Sequence, residues 1–373
     1  CRPLGLRTPL TAAGLQDAAR RRAGLEDFGG PPFDEAFERL VDAIENEASL
    51  HPLGRFMVRE NLLRVLQNRL RAQDDFFRHP DIGASAVEDP IFIVGLQRTG
   101  TTLLQRLLSQ DPAHRHLASW EALNVAPHRP PRWARWLTSA LGTDGLEQEE
   151  GAVDPRRLAQ ARIAERSLAY LAPDFFAIHP VEAEAPEEDV LLLEYSFYST
   201  VPEATLHVPS YAAWLEAQEQ APAYRYYRRL LRYLQWQRPS SHGAGQGPGL
   251  PRWLLKTPHH LEHLDALLEV FPKAKIIMTH RDPVKALASF CSMMAHGRGV
   301  FSDDVDAAQI GAQWSRKTHR MISRALEVRE ARPDAFFDVS YGELVADPLA
   351  ALRRIYEEFL GRPWDDALAR TFA

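Results

Sequence analysis

The stretch Gly95-Leu96-Gln97-Arg98-Thr99-Gly100-Thr101-Thr102 constrains this chain more than any other. An apolar run, Ile91-Phe92-Ile93-Val94, leads directly into it, and Leu103, Leu104, Leu107 and Leu108 follow at helical spacing. A strand, a glycine-flanked turn and a helix start in that order make an oxyanion site. Glycine lets the backbone approach an anion, and the first free N–H groups of the helix point at it.

The same alternation recurs downstream. Trp253-Leu254-Leu255, Lys275-Ile276-Ile277-Met278 and Phe336-Phe337-Asp338-Val339 read as strands. Leu261, Leu264, Leu267, Leu268 and Phe271 mark a helix ending at Pro272. Asp282-Pro283 caps and starts another, with Val284, Leu287 and Cys291 inward, and Leu352, Ile355, Tyr356 and Phe359 mark a third. Strands alternating with helices predict an α/β fold: a central parallel β-sheet with helices on both faces, in the three-layer manner of nucleotide kinases. Ligands then bind at the carboxyl ends of the strands. Thr11 to Arg78 reads as helical, broken at Gly29-Gly30-Pro31-Pro32. The expected organisation is therefore a helical N-terminal extension, residues 1–88, packed on an α/β domain, residues 89–373.

The middle of the chain is less regular. Pro127 to Trp136 reads as a loop and the start of a helix, Pro155 to Leu171 as a helix, and Pro173 to Pro186 as irregular and acidic. Asp189 to Tyr198 reads as helical. Tyr224 to Trp236 interleaves tyrosines with arginines; a half-buried helix with its basic groups outward explains this more simply than a nucleic-acid surface does. Ser240 to Gly249 has a loop composition. The net charge of −6 argues against broad nucleic-acid binding. Two cysteines, Cys1 and Cys291, offer neither a disulfide framework nor a thiolate metal site, which suits a reducing cytoplasm. No run approaches the roughly 18 apolar residues of a membrane span, and no secretory pattern opens the chain. It begins with Cys1 rather than methionine, so part of its natural start is expected to be missing.

The glycine turn has the spacing of the triphosphate loop G-x-x-x-x-G-K-[ST], with Thr101 at the lysine position and the cation earlier, at Arg98. Such a site suits a phosphate that carries something other than another phosphate. A second cation, Arg281 in Thr279-His280-Arg281-Asp282-Pro283, falls at the carboxyl end of a predicted strand on the same sheet edge, with the Ser289 hydroxyl two turns into the next helix.

These residues resemble the sulfotransferase family. Arg98-Thr99-Gly100-Thr101-Thr102 looks like the loop that holds the 5′-phosphosulfate of 3′-phosphoadenosine 5′-phosphosulfate. Arg281 and Ser289, eight apart, match the pair that grips the 3′-phosphate. Lys256-Thr257-Pro258-His259-His260-Leu261 resembles the Lys-Ser/Thr-Pro-x-His-Leu element of the bacterial branch. Ser340-Tyr341-Gly342-Glu343-Leu344 with Asp347-Pro348 resembles its later Tyr-x-x-Leu…Asp-Pro element. The resemblance runs in order from Ile91 to Phe359 and implies a nucleotide-kinase-like fold and sulfonate transfer to a hydroxyl. It implies donor contacts from Arg98, Thr99, Gly100, Thr101, Thr102, Arg281, Ser289 and Tyr341. The family usually continues beyond the position of Ala373 with a helix and loop over the 3′-phosphate and adenine, so this donor set is expected to be incomplete.

Sulfonate carries less charge than a terminal phosphate, so the transfer needs no metal. His259 and His263 lie four apart, but without a His-Glu-x-x-His order. An alcohol acceptor needs a proton acceptor, and three remain open: Glu121, His260 and His179. Glu121 follows the first helix, where one branch of the resembled family keeps a glutamate base, and His260 follows the strand Trp253-Leu254-Leu255 and would face the same cleft. Each has a plainer reading as a cap, a backbone-bonded histidine or a loop histidine. Lys256 is expected to stabilise the sulfonate, and otherwise to pair with an acid. Glu182, Glu187, Glu188 and Asp189 read first as a solvated acidic face, and otherwise as a lid over the acceptor. The expected partner is a small-molecule hydroxyl acceptor, the pocket walls falling in Trp120 to Ser210, and the chain is compatible with a homo-oligomer. Competing readings are a small-molecule kinase of the same fold and a non-catalytic nucleotide-binding interaction module.

Overall fold

The computed structural model describes residues 9–30, 33–128, 153–238 and 251–372. Pro31-Pro32, residues 129–136 and the Ser240 to Gly249 stretch lie outside them.

Among the described residues, five strands form one sheet: β1 (Ile91–Gly95), β2 (His114–His116), β3 (Arg252–Lys256), β4 (Lys275–His280) and β5 (Phe336–Ser340). Their order is β2-β3-β1-β4-β5, and every neighbouring pair is parallel. The register brings Gly95 beside Thr279, Ile93 beside Lys256, and His280 beside Ser340. The ends of four strands therefore open on one edge.

Side-chain alternation along each strand divides the core. Phe92, Val94, Leu255, Ile276 and Met278 pack with Leu63 and Leu66 of helix Pro52–Arg78 and with Leu230 and Leu234 of helix Ala221–Gln237. Ile91, Ile93, Leu254, Ile277 and Val339 pack with Leu104, Leu108, Leu352 and Ile355 on the other face. Coverage of both faces explains why β1, β3 and β4 carry continuous apolar runs. This is the expected three-layer α/β architecture.

The N-terminal helices Ala12–Ala23, Asp34–Glu47 and Pro52–Arg78 share the first of these cores. Arg69 ties them inward. Its guanidinium donates to the carbonyls of Phe28 (2.7 Å), Gly30 (3.0 Å) and Tyr195 (2.6 Å), and stacks between the rings of Phe33 and Tyr226. Helix Ala221–Gln237 buries Tyr224, Tyr227, Tyr233 and its leucines, while Arg225 reaches outward to Glu269.

Some elements differ from expectation. Asp189 to Tyr198 is helical only over Val190–Glu194, because Phe197 turns to φ 57° and its carbonyl accepts the Tyr211 hydroxyl at 2.7 Å. The acidic stretch contains a short helix, Pro173–Ile178. The helix placed at Leu261 begins instead as a 3-10 turn, Pro258–Glu262, and becomes α-helical at Leu264–Val270. β2 and the long helix Ala307–Ala331 had no counterpart in the sequence reading. His-Arg-His carries no apolar signal, so a three-residue edge strand of that kind is silent.

Candidate active site

The loop after β1 is shaped by two glycines. A Cβ on Gly95 would overlap the Thr279 hydroxyl and lie 2.9 Å from the Thr279 carbonyl oxygen, so β1 and β4 approach closely only because Gly95 has none. Gly100 is the N-cap of helix Thr101–Leu108, at φ 88°. A Cβ there would sit 3.0 Å from the Tyr341 ring. Thr99 ties the turn down: its hydroxyl donates to the Leu96 carbonyl (2.6 Å) and shares a 2.6 Å hydrogen bond with Thr279. The first bond that closes the helix runs from Leu104 N–H to the Gly100 carbonyl (3.0 Å). The N–H groups ahead of it are the free helix-start donors that suit an anion.

Arg98 sits in this loop at φ 67°, a left-handed conformation that costs a non-glycine residue about a kcal/mol or more. Arg281, just beyond β4, braces it by donating to the Arg98 carbonyl at 2.8 Å. The Arg281 guanidinium also lies 4.4 Å from the centre of the Tyr341 ring, at the end of β5. Arg98, Arg281 and Tyr341 are thus brought together. Ser289 stands partly exposed on helix Pro283–Gly299, which leaves this edge.

Beside the loop lies an open cleft of about 290 Å³. Its walls include Arg98, Thr102, Arg106, His179, Glu187 and Lys256. Lys256, the last residue of β3, is 2% exposed and reaches the Thr102 hydroxyl (3.3 Å) and the Glu188 carboxylate (2.7 Å). Arg106 pairs with Glu182 at 3.2 Å.

Of the three base candidates, only His179 lines this cleft. Glu121 is sealed in. One carboxylate oxygen meets Arg238 at 2.8 Å and Arg115 at 3.8 Å, and the other accepts the Ala118 N–H at 3.2 Å. His260 is fully buried, its ring bonded to the Tyr224 hydroxyl (2.7 Å) and to Asp189 (3.1 Å). The partners of both converge on them inside the fold, away from the cleft lining. The acidic run is a solvated face only in part: Glu182 is exposed and Glu187 and Glu188 are half-buried, but Asp189 is buried and also accepts the Tyr227 hydroxyl at 2.7 Å. Glu188 went unread as a partner of Lys256; its place next to an apolar run, Val190-Leu191-Leu192-Leu193, was the available signal.

His259 and His263 are buried with their ring centres 4.9 Å apart. Burial, then the neighbouring cations and histidines, pushes both well below the ordinary imidazole range. Among the described residues, no three His, Cys, Asp or Glu side chains gather to hold a metal, and no helix is long and apolar enough to cross a membrane.

A family model described as "Sulfotransferase family" matches residues 90–366. Omega-hydroxy-beta-dihydromenaquinone-9 sulfotransferase Stf3 of Mycobacterium bovis, and the same protein of Mycobacterium tuberculosis, are 28% identical over 283 residues, 72% of this chain. The chain spans 62% of the length of these curated relatives. Protein-tyrosine sulfotransferase A of Caenorhabditis elegans is 33% identical over 123 residues, covering 33% of this chain and 31% of that protein. Among solved structures, sulfotransferase STF1 from Mycobacterium tuberculosis H37Rv superposes with a TM-score of 0.76 at 33% identity, covering 98% of this chain and 93% of that one. Sulfotransferase STF9 from Mycobacterium avium superposes at 0.81 with 27% identity, covering 99% and 88%.

Proposed function

This chain belongs to the sulfotransferase family, and from that premise we propose that it moves a sulfonate group from 3′-phosphoadenosine 5′-phosphosulfate to a hydroxyl of a small-molecule acceptor. One observation carries the reading: Arg98, Lys256 and His179 line a single cleft beside the glycine loop, while Arg281 is bonded to that loop.

The loop N–H groups, Thr99, Gly100, Thr101, Thr102 and the Arg98 guanidinium hold the donor's 5′-phosphate. Arg281 and Ser289 take its 3′-phosphate, with Tyr341 as the platform beneath Arg281. The acceptor oxygen attacks sulfur in line, and the bond from sulfur to the bridging phosphate oxygen breaks. Its electron pair leaves with 3′,5′-adenosine bisphosphate. Donors already aimed at that leaving phosphate stabilise its growing charge. Lys256 offsets charge on the sulfonate oxygens. His179 takes the acceptor proton, a role supported by its position in the cleft and by the enclosure of Glu121 and His260.

The relatives are named for unlike acceptors, an omega-hydroxy-menaquinone derivative and a protein tyrosine. A hydroxyl is what those acceptors share, which supports a hydroxyl here. A cytoplasmic setting, suggested by the cysteine usage, belongs to the same proposal.

Calorimetric titration tests the donor site. The protein should bind 3′,5′-adenosine bisphosphate without added metal, and Arg281→Ala should weaken that binding by about 10-fold or more, the scale of one charge-assisted hydrogen bond to a phosphate. Binding of ATP with magnesium in its place would favour a kinase and overturn the reading.

A further inference from the structure

We infer that Glu188 is a positioning residue that acts through Lys256: it holds and neutralises the ammonium group until the donor's sulfonate takes its place. The inference rests on the donor site proposed above.

Lys256 is almost completely enclosed, yet it lines the cleft, so its charge has a small set of partners. Its ammonium is shared between the Glu188 carboxylate at 2.7 Å and the Thr102 hydroxyl at 3.3 Å. Thr102 belongs to the anion loop and Glu188 to the acidic segment. The lysine therefore stands between the place where an anion would sit and a built-in carboxylate that substitutes for one. The second Glu188 oxygen accepts the Thr257 hydroxyl at 3.3 Å, which fixes the carboxylate on both sides.

The segment carrying Glu188 is pinned on several sides. The Glu187 N–H donates to the Leu117 carbonyl (2.9 Å), and the Gln105 side chain donates to the Glu187 carbonyl (3.1 Å). The Asp189 N–H donates to the Lys256 carbonyl (3.3 Å). The Asp189 carboxylate accepts Tyr227 and meets His260, whose ring packs edge-on against Phe92 of β1. Fold-wide contacts thus hold Glu188 at the end of β3, while its side chain keeps 24% exposure. A carboxylate anchored this firmly would be a poor surface ornament and is a good competitor. An incoming sulfonate gains Lys256 only by displacing Glu188, so the pair sets donor affinity against the aim of the lysine.

The test compares two nucleotides on the full chain: 3′-phosphoadenosine 5′-phosphosulfate, which carries the sulfonate, and 3′,5′-adenosine bisphosphate, which lacks it. Glu188→Gln keeps the shape and removes the charge. It should tighten binding of the sulfonate donor by about fivefold, the scale of one competing charged hydrogen bond, and leave the bisphosphate within about twofold. It should also lower kcat while lowering the donor KM, because the freed lysine is no longer aimed. Glu188→Asp keeps the charge on a shorter arm and should return donor affinity toward the wild type. Equal weakening of both nucleotides, or no change in either, would overturn the inference and leave the donor site standing. A wild-type protein that binds neither nucleotide would remove the donor site and this inference with it.

Discussion

Two clusters of charge in this molecule use the same residue types for opposite ends. At the open edge, among the described residues, neither Arg98 nor Arg281 has a carboxylate partner; each spends its guanidinium on a backbone carbonyl or an aromatic face. In the closed cluster, Glu121 is 1% exposed and is met by Arg238 and Arg115. Arg115 there also donates to the carbonyls of Leu234 and Arg238 and lies over Trp253, and burial pushes its pKa down to about 10. A buried charge needs compensation from the protein itself. A cation at a cleft without one is available to an anionic ligand. The two clusters differ in compensation: Glu121 neutralises its arginines inside the fold, while Arg98 and Arg281 are met by carbonyls and a ring.

The sharpest way to break that contrast is to truncate one member of each cluster. Arg98→Ala should lower kcat by about 10²–10³, the usual cost of one donor to a leaving oxyanion, and should leave the urea midpoint nearly unchanged because the side chain is exposed. Steady-state kinetics and urea unfolding on the same preparation read both. A large loss of stability with normal kcat in the folded fraction would reverse the assignment.

Glu121→Ala should behave in the opposite sense. Removing the carboxylate of a buried pair takes that charge partner from Arg115 and Arg238 and should cost about 3–5 kcal/mol of stability. At low temperature, where the variant is still folded, kcat should stay within a few-fold of wild type. A fall in kcat as deep as that of Arg98→Ala, with an unchanged urea midpoint, would make Glu121 the base after all.

The same contrast explains what the sequence disclosed. β1, β3 and β4 announce themselves because a strand buried on both faces is a run of apolar residues, and that property is local; β5, at the edge, shows it only in Phe336-Phe337 and Val339. The glycine loop is legible for the same reason: Gly95, Thr99 and Gly100 act within a few residues of one another. The role of Glu121 was not legible, because its partner Arg238 lies 117 residues away. His260 finds Asp189 across 71 residues, and Glu188 finds Lys256 across 68. A carboxylate or imidazole in a promising motif looks identical whether the fold later points it at substrate or at a distant arginine. His179 stands in a stretch that reads as irregular, yet the fold delivers it to the cleft.

The smallest effect sharpens the contrast through pH. His259 and His263 are held well below the ordinary imidazole range first by burial, then by His263 and His260 for His259 and by Lys317 and Arg320 for His263. In the unfolded chain both return to about 6.5. Below that value the unfolded state binds protons that the native state refuses, so native stability is greatest above about pH 6.5 and declines as pH falls. Each histidine contributes a slope of up to about 1.4 kcal/mol per pH unit. Glu216 adds nothing to this window: burial acts to raise its pKa, but Arg316 and Lys317 outweigh it, so its protonation falls at lower pH. Urea midpoints measured at pH 7.5 and 5.5 should therefore drop at the acid end, and His263→Gln should flatten the drop. An equal slope in the variant would mean that the ring takes up a proton without resistance, and that this pair belongs with the solvent-facing groups of the cleft rather than with the closed interior.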